Sequence, residues 1–311
     1  MVVWVVANPY LTLTKNTREG VFCLPISQVK INSMFYLMPE WFWLVVVFTF
    51  GLIIGSFLNV LIYRMHTGKS LSGYSHCLSC LKRLRWYELV PVLSYVFLRG
   101  RCSSCGSFIP WRYALVEILT ASVFVLVWLK VGAVISSAIL YVLVATLVVG
   151  LVYDLYHLII PDEVSVLLAI LGFTWLIFQY HSDWYVIIVT LITALFLSSL
   201  MAALWYFSGG RMMGLGDAKL IFGLLLFLSM SGAFSMFVLS FWVGAVVGLG
   251  LIMLRNFSQW LYQQDRMPSS LRVKMKSEIP FAPFMIIAFM LVFFFSVDVL
   301  ALSLYAIDPL Q

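Results

Sequence analysis

Two carboxylates stand at the mouths of apolar runs. One is Asp217, in Gly214-Leu215-Gly216-Asp217-Ala218-Lys219-Leu220, between a glycine-rich break and a long apolar stretch. The other is Asp154, which opens Asp154-Leu155-Tyr156-His157-Leu158-Ile159-Ile160-Pro161-Asp162 at the end of an earlier apolar run. An ionisable group at membrane depth is costly and marks a functional position by default. Two acids held close together do not both ionise easily; they share a proton and titrate as a unit. One can then take a proton from water while the other donates to a carbonyl, which is the chemistry of an aspartic protease. It needs no acyl-enzyme, and none of the usual nucleophile arrangements appears in the chain.

The surroundings of the pair supply candidates for support. Gly214 and Gly216 free the backbone beside Asp217 for conformations a helix forbids and for close approach of another segment. Lys219 either steadies the pair or snorkels to the interface. Asp162 follows Pro161, which suits a helix start, so it reads mainly as a helix-start acid and secondarily as active-site support. Asn59 lies inside an apolar helix and wants a partner, either a neighbouring helix or a bound peptide or cofactor. Glu117 is also inside an apolar run, and Arg112 or a neighbouring loop would satisfy it. The bland readings are an N-cap for Asp217 and a solvated helix end for Asp154.

A second constellation is made of thiols. Cys77-Leu78-Ser79-Cys80 and Cys102-Ser103-Ser104-Cys105 are two CxxC pairs separated by 21 residues, the ligand spacing of a four-cysteine zinc site. Disulfides are the alternative and would need an oxidising compartment. Zinc held by four thiolates keeps no open position, so it would be structural. The remaining cysteine, Cys23, has no partner in this pattern.

The elements that must position these groups follow from composition. The chain of 311 residues is 63% hydrophobic and 10% charged, with a mean hydropathy of +1.04. Those values lie outside the range of soluble domains. The apolar runs are continuous, which excludes a β-barrel and predicts an all-α, polytopic membrane bundle. Eight spans are expected, over about 41–63, 114–129, 133–153, 164–180, 185–207, a short one from 217 to near 230, 232–254 and 284–304. Gly51 and Gly55 form a small-xxx-small pair on the first span. Residues 1–40 read as a poorly structured extension, 64–113 as a hydrophilic insert and 114–311 as the core. The insert carries eight basic residues against one acid, Glu88, and the positive-inside rule puts it in the cytoplasm. That choice places 15 of the 19 basic residues inside, with Asp154 and Asp217 at the same cytoplasmic level.

Taken together, the motifs resemble a known family. Gly55-Ser56-Phe57-Leu58-Asn59-Val60-Leu61-Ile62-Tyr63-Arg64, the CxxC pairs with Pro91-Val92-Leu93-Ser94-Tyr95 and Leu98-Arg99-Gly100-Arg101-Cys102 between them, the Asp154–Asp162 stretch, Gly214-Leu215-Gly216-Asp217 and Ile279-Pro280-Phe281-Ala282-Pro283-Phe284 look like a bacterial type IV prepilin peptidase. The resemblance implies an inner-membrane aspartic endopeptidase whose catalytic aspartates fall on Asp154 and Asp217. Its substrates would be type IV prepilins or type II secretion pseudopilins, met within the lipid bilayer and cut after a glycine on the cytoplasmic side. It further implies N-methylation of the new terminus with S-adenosylmethionine, an activity associated with members that carry the cysteine insert. No glycine-rich nucleotide fingerprint follows a strand, so the methyl-donor site is not derivable from the sequence. Nothing in the chain points to nucleic acid. Ala282 departs from the usual glycine, and Pro110 and Ala114 depart from the pattern around Arg112-Tyr113; these are expected to touch loop detail only. Gly51 and Gly55 are expected to line a lateral groove for the substrate. The readings kept against this one are a peptidase without methylation, a proton-coupled transporter, for which internal repeats are lacking, and a zinc-ribbon adaptor without activity.

Overall fold

The computed structural model describes residues 39–68, 70, 73–132, 137–181, 183–211, 213–261 and 280–299. The expected extension before residue 39, and the basic positions Arg266, Arg272, Lys274 and Lys276, lie outside the described residues. The architecture is helical: α1 (Glu40–Thr67), α2 (Leu93–Phe97), α3 (Arg112–Val131), α4 (Ser137–His157), α5 (Asp162–Tyr180), α6 (Trp184–Ser208), α7 (Leu215–Leu225), α8 (Met230–Leu261) and α9 (Ala282–Phe295), with a 3-10 turn at Trp86–Leu89. Among the described residues, six helices are long and apolar enough to cross a membrane: α1, α3, α4, α5, α6 and the first 22 residues of α8. The chain is therefore a multi-pass membrane protein.

The two remaining apolar helices correct the expected span lengths. The 11 residues of α7 reach only about 16 Å, roughly half of a bilayer core of about 30 Å. Instead of facing lipid, α7 is enclosed by α5, α6 and α9, and Leu220, Ile221, Leu224 and Leu225 are fully buried. A helix that is apolar all round is stable only in such a place. Within the single span expected over 284–304, of which residues 300–304 lie outside the described residues, α9 ends at Phe295, where Ser296 turns left-handed at φ 53°. There the Ser235 hydroxyl donates to Asp298 at 2.8 Å and accepts from the Val299 N–H at 3.1 Å, tying this turn to α8.

Glycines set the two closest helix crossings. A Cβ on Gly51 would stand 2.5 Å from the Ala121 Cα, and one on Gly55 would stand 2.7 Å from the Glu117 Cα. The small-xxx-small face of α1 is thus filled by the α3 backbone. These glycines line no substrate groove, contrary to expectation, because the α3 backbone fills the space at both positions. The second crossing joins α5 to α7. A Cβ on Gly172 would meet the Leu226 Cβ at 2.7 Å, and one on Gly223 would meet the Leu168 Cβ at 2.8 Å. This contact holds the helix that carries Asp217 against the helix that follows Asp154.

Candidate functional site

Asp154 lies in the last turn of α4 and is 4% exposed. The helix ends just beyond it, where Leu158 turns left-handed at φ 56° and donates its N–H to the Asp154 carbonyl at 2.8 Å. A carboxylate at a helix C-terminus is opposed by the dipole. The opposition is offset by α9, whose first residue, Ala282, directs its backbone N–H at the Asp154 carboxylate. Ala282 is therefore part of the site, where the sequence had implied loop detail only. The Asp154 Oδ2 is buried without a hydrogen-bond partner among the described residues.

Asp217 enters from the opposite polarity. It is the third residue of α7, 8% exposed, and its Oδ2 accepts the Gly214 N–H at 3.1 Å. This is half of a capping box, so the expected cap role and a place in the site coexist. A Cβ on Gly216 would come within 3.3 Å of the Ile160 Cβ. The absent side chain lets the start of α7 settle on the loop that leaves Asp154. Across that contact the charge of Asp154 acts on Asp217. Two acids 63 residues apart in the chain are thus both buried, each beside a helix N-terminus, and near enough for the charge of one to act on the other. Such a pair can hold one proton between them and exchange it with water and a carbonyl.

The support residues divide. Lys219 Nζ donates to Asp162 Oδ1 at 2.7 Å, so these two satisfy each other at the surface. Asp162 is the first residue of α5 after Pro161, the helix-start position expected. The ion pair is 46% and 71% exposed at its two ends, and such pairs contribute about 0–1 kcal/mol. Asp162→Asn is expected to shift stability by less than about 1 kcal/mol, read as a change in Tm. Asn59 Nδ2 donates to the Tyr113 carbonyl at 3.0 Å, which makes it an interhelical tie between α1 and α3. Glu117, on α3, accepts the Val92 N–H at 2.7 Å and not Arg112. Arg112 instead lies over the Tyr156 ring, 4.8 Å from its centroid, two residues beyond Asp154. No single-residue signal marked the parts played by Ala282, Gly223 or Arg112; each depends on which helices meet.

The thiols converge as their spacing predicts. The Cys77, Cys80, Cys102 and Cys105 sulfurs all lie within 4.8 Å of one another, and none is in a disulfide. Each CxxC is a tight turn. The Cys77 N–H donates to the Lys82 carbonyl at 3.0 Å, and the Cys102 N–H to the Ser107 carbonyl at 2.9 Å. The fifth residue of each turn is left-handed, Leu81 at φ 57° and Gly106 at φ 69°. The N–H groups of Cys80 and Ser79 and the Ser107 hydroxyl hold the Cys77 thiol down to about 6. For Cys80 the Lys82 N–H favours the thiolate, yet desolvation and the Cys105 and Cys77 sulfurs push its thiol up to about 11. Four sulfurs this close cannot all ionise without a cation among them. Zinc–sulfur bonds of about 2.3 Å in a tetrahedron place sulfurs about 3.8 Å apart, and Cys77 and Cys105 stand 3.9 Å apart. The cluster fits zinc. Glu88 fastens it to the rest of the insert, accepting from the Arg85 N–H at 2.7 Å and from the Ser103 hydroxyl.

Comparison with known proteins gives two family matches in chain order. Residues 49–131 match the bacterial peptidase A24 N-terminal domain, and residues 141–249 match the type IV leader peptidase family. Among curated relatives, a prepilin leader peptidase/N-methyltransferase of Aeromonas hydrophila is 31% identical over 278 residues, covering 80% of this chain and 89% of its own. Proteins of the same name from Dichelobacter nodosus and Bacillus subtilis (strain 168) are 28% and 30% identical, covering 80% and 67% of this chain and 91% and 83% of theirs. No solved structure matches the chain significantly.

Proposed function

The chain belongs to the type IV leader peptidase family, and from that premise we propose that it is a membrane aspartic endopeptidase with Asp154 and Asp217 as its catalytic pair. Its substrates are prepilins or pseudopilins, and it N-methylates the terminus it creates. The observation that carries the reading is the burial of two carboxylates at the end of α4 and the start of α7, within each other's electrostatic reach and with no ion pair to either among the described residues. One carboxylate takes a proton from water as the water oxygen adds to the scissile carbonyl carbon. The other protonates the carbonyl oxygen. Collapse of the tetrahedral intermediate breaks the carbon–nitrogen bond, and the leaving amine receives a proton from the pair.

The bundle stands in the bacterial inner membrane with this pair and the insert on the cytoplasmic side, which the basic composition of residues 64–113 supports. A prepilin has a basic leader and an apolar helix, so its cleavage site lies at the same interface and reaches the pair by lateral diffusion. Residues 1–40 are an extension, 64–113 the zinc-bearing insert and 114–311 the protease core. S-adenosylmethionine supplies the electrophilic methyl group for the second reaction.

Zinc is structural in this scheme, and its removal tests the point. Cys80→Ser is expected to lower zinc affinity by more than the about 10–100-fold that loss of an outer-shell partner costs. Metal content by atomic absorption and protease sensitivity of the insert report the change. Stoichiometric zinc in Cys80→Ser protein would contradict it. The function itself is tested by incubating the protein in lipid with a prepilin and S-adenosylmethionine and reading the product N-terminus by mass spectrometry. Removal of the leader after a glycine, with one added methyl, is the expected result; an intact prepilin across several substrates overturns it.

A further inference from the structure

Methyl transfer needs room for a nucleoside-bearing cation. A cavity of about 450 Å³ lies between the cytoplasmic half of α1, the start of α3 and the underside of the cysteine insert. That volume is within the roughly 300–1,000 Å³ of small-molecule sites. Its wall includes Ser56, Asn59, Tyr95, Tyr113 and Glu117, with Cys102 at the insert side. Resting on the peptidase–methyltransferase reading above, we propose that this cavity binds the methyl donor and that the Glu117 carboxylate faces the donor's positive sulfur.

The chemistry of the wall carries the assignment. Glu117 is 8% exposed, and no ion pair reaches it among the described residues. Its recorded partners are neutral, the Val92 N–H at 2.7 Å and the Ser56 hydroxyl. A buried carboxylate held by neutral donors is costly, and a cation entering the cavity removes that cost. Tyrosine faces at Tyr95 and Tyr113 suit both a cation and an adenine ring. The amide of Asn59 and the hydroxyl of Ser94 add hydrogen-bonding groups to the wall. The close crossing at Gly55 is what presses Glu117 toward α1, since only a missing side chain lets the two backbones approach there.

A chain of contacts leads from the cavity toward the end of α4 that carries Asp154. Tyr113 lines the cavity, and the neighbouring Arg112 reaches the Tyr156 ring just past Asp154. In this scheme a terminus released at the pair moves to the cavity. There the amine, having lost one proton to solvent, forms the new nitrogen–carbon bond as the carbon–sulfur bond breaks with its electrons staying on sulfur. The donor leaves as the neutral thioether.

Binding, measured by equilibrium dialysis on the full chain in detergent without prepilin, tests this directly. The probes are S-adenosylmethionine and S-adenosylhomocysteine, which differ by the methyl and its positive charge. Glu117→Gln keeps an acceptor for the Val92 N–H and is expected to weaken S-adenosylmethionine at least about tenfold while changing S-adenosylhomocysteine less than about threefold. Ser94→Trp, which fills the cavity from α2, is expected to weaken both. Equal weakening of the two probes by Glu117→Gln overturns the role of Glu117, and unchanged binding in Ser94→Trp protein overturns the cavity. No donor binding to wild type overturns both, whether or not prepilin is cut. Failure of wild type to cut prepilin, with donor binding intact, instead counts against the peptidase reading.

Discussion

Asp154→Asn and Asp217→Asn will each slow prepilin cleavage by at least about 10³-fold while leaving the bundle folded. The size follows from the role. Each carboxylate moves a proton in the transition state, and such groups contribute about 10²–10⁴ individually. An amide can neither accept the proton from water nor give one to the carbonyl. The two changes act on one unit, so the double variant will be scarcely slower than either single one, as found where residues act together. Folding should not suffer. In Asp217→Asn the side-chain amide oxygen can still accept the Gly214 N–H that Asp217 Oδ2 accepts at 3.1 Å. Exchanging one of two buried acids for a neutral amide of the same shape adds no buried charge, so Tm should stay level or rise. The measurement is a cleavage time course in lipid beside a thermal melt. A variant that melts with wild type and still cuts at more than about a tenth of the wild-type rate would remove that aspartate from the mechanism.

Much of this site was readable before any fold was known, because its chemistry is written locally. Asp154 and Asp217 each close or open an apolar run, where a carboxylate is conspicuous. The cysteines announce themselves by spacing, and each turn is built from residues adjacent in the chain. Pro161 marked the start of α5, and Asp162 sits where that start requires. What stayed hidden depends on distant contacts. Lys219 finds Asp162, 57 residues away. The break at Ser296 has neither proline nor glycine to signal it; the Ser235–Asp298 bond from another helix enforces it. Gly51 and Gly55 were legible as a close-packing face, but the partner was not, and the face that was expected to admit substrate is occupied by α3. The cavity beside Glu117 exists only once α1, α3 and the insert are assembled. Local chemistry is visible in a sequence; the space between elements is not.

The crossing of α5 and α7 makes the second large effect. Gly223→Val is expected to cost at least about 1–3 kcal/mol and to lower cleavage about 10²-fold or more. A Cβ at that position would stand 2.8 Å from the Leu168 Cβ and 3.0 Å from the Ala169 backbone nitrogen. Real contacts of this kind do not occur, and a backbone nitrogen inside a helix cannot swing aside as a side-chain end can. Gly172 already approaches the Gly223 carbonyl from the other side, where a Cβ of its own would come within 2.9 Å. The relief available is for α7 to withdraw from α5. That movement carries Asp217 away from Asp154, because α7 is short, enclosed and has Asp217 in its first turn. A displacement of about 1 Å is enough for a loss of about 10² in rate. Gly248 on α8 is the control: among the described residues nothing lies within 4 Å of its Cβ position, and Gly248→Val should leave both Tm and cleavage near wild type. The paired melts and rates separate a steric effect at one crossing from a general intolerance of valine in membrane helices. Equal loss in both variants would deny the α5–α7 contact its part in holding the two aspartates together.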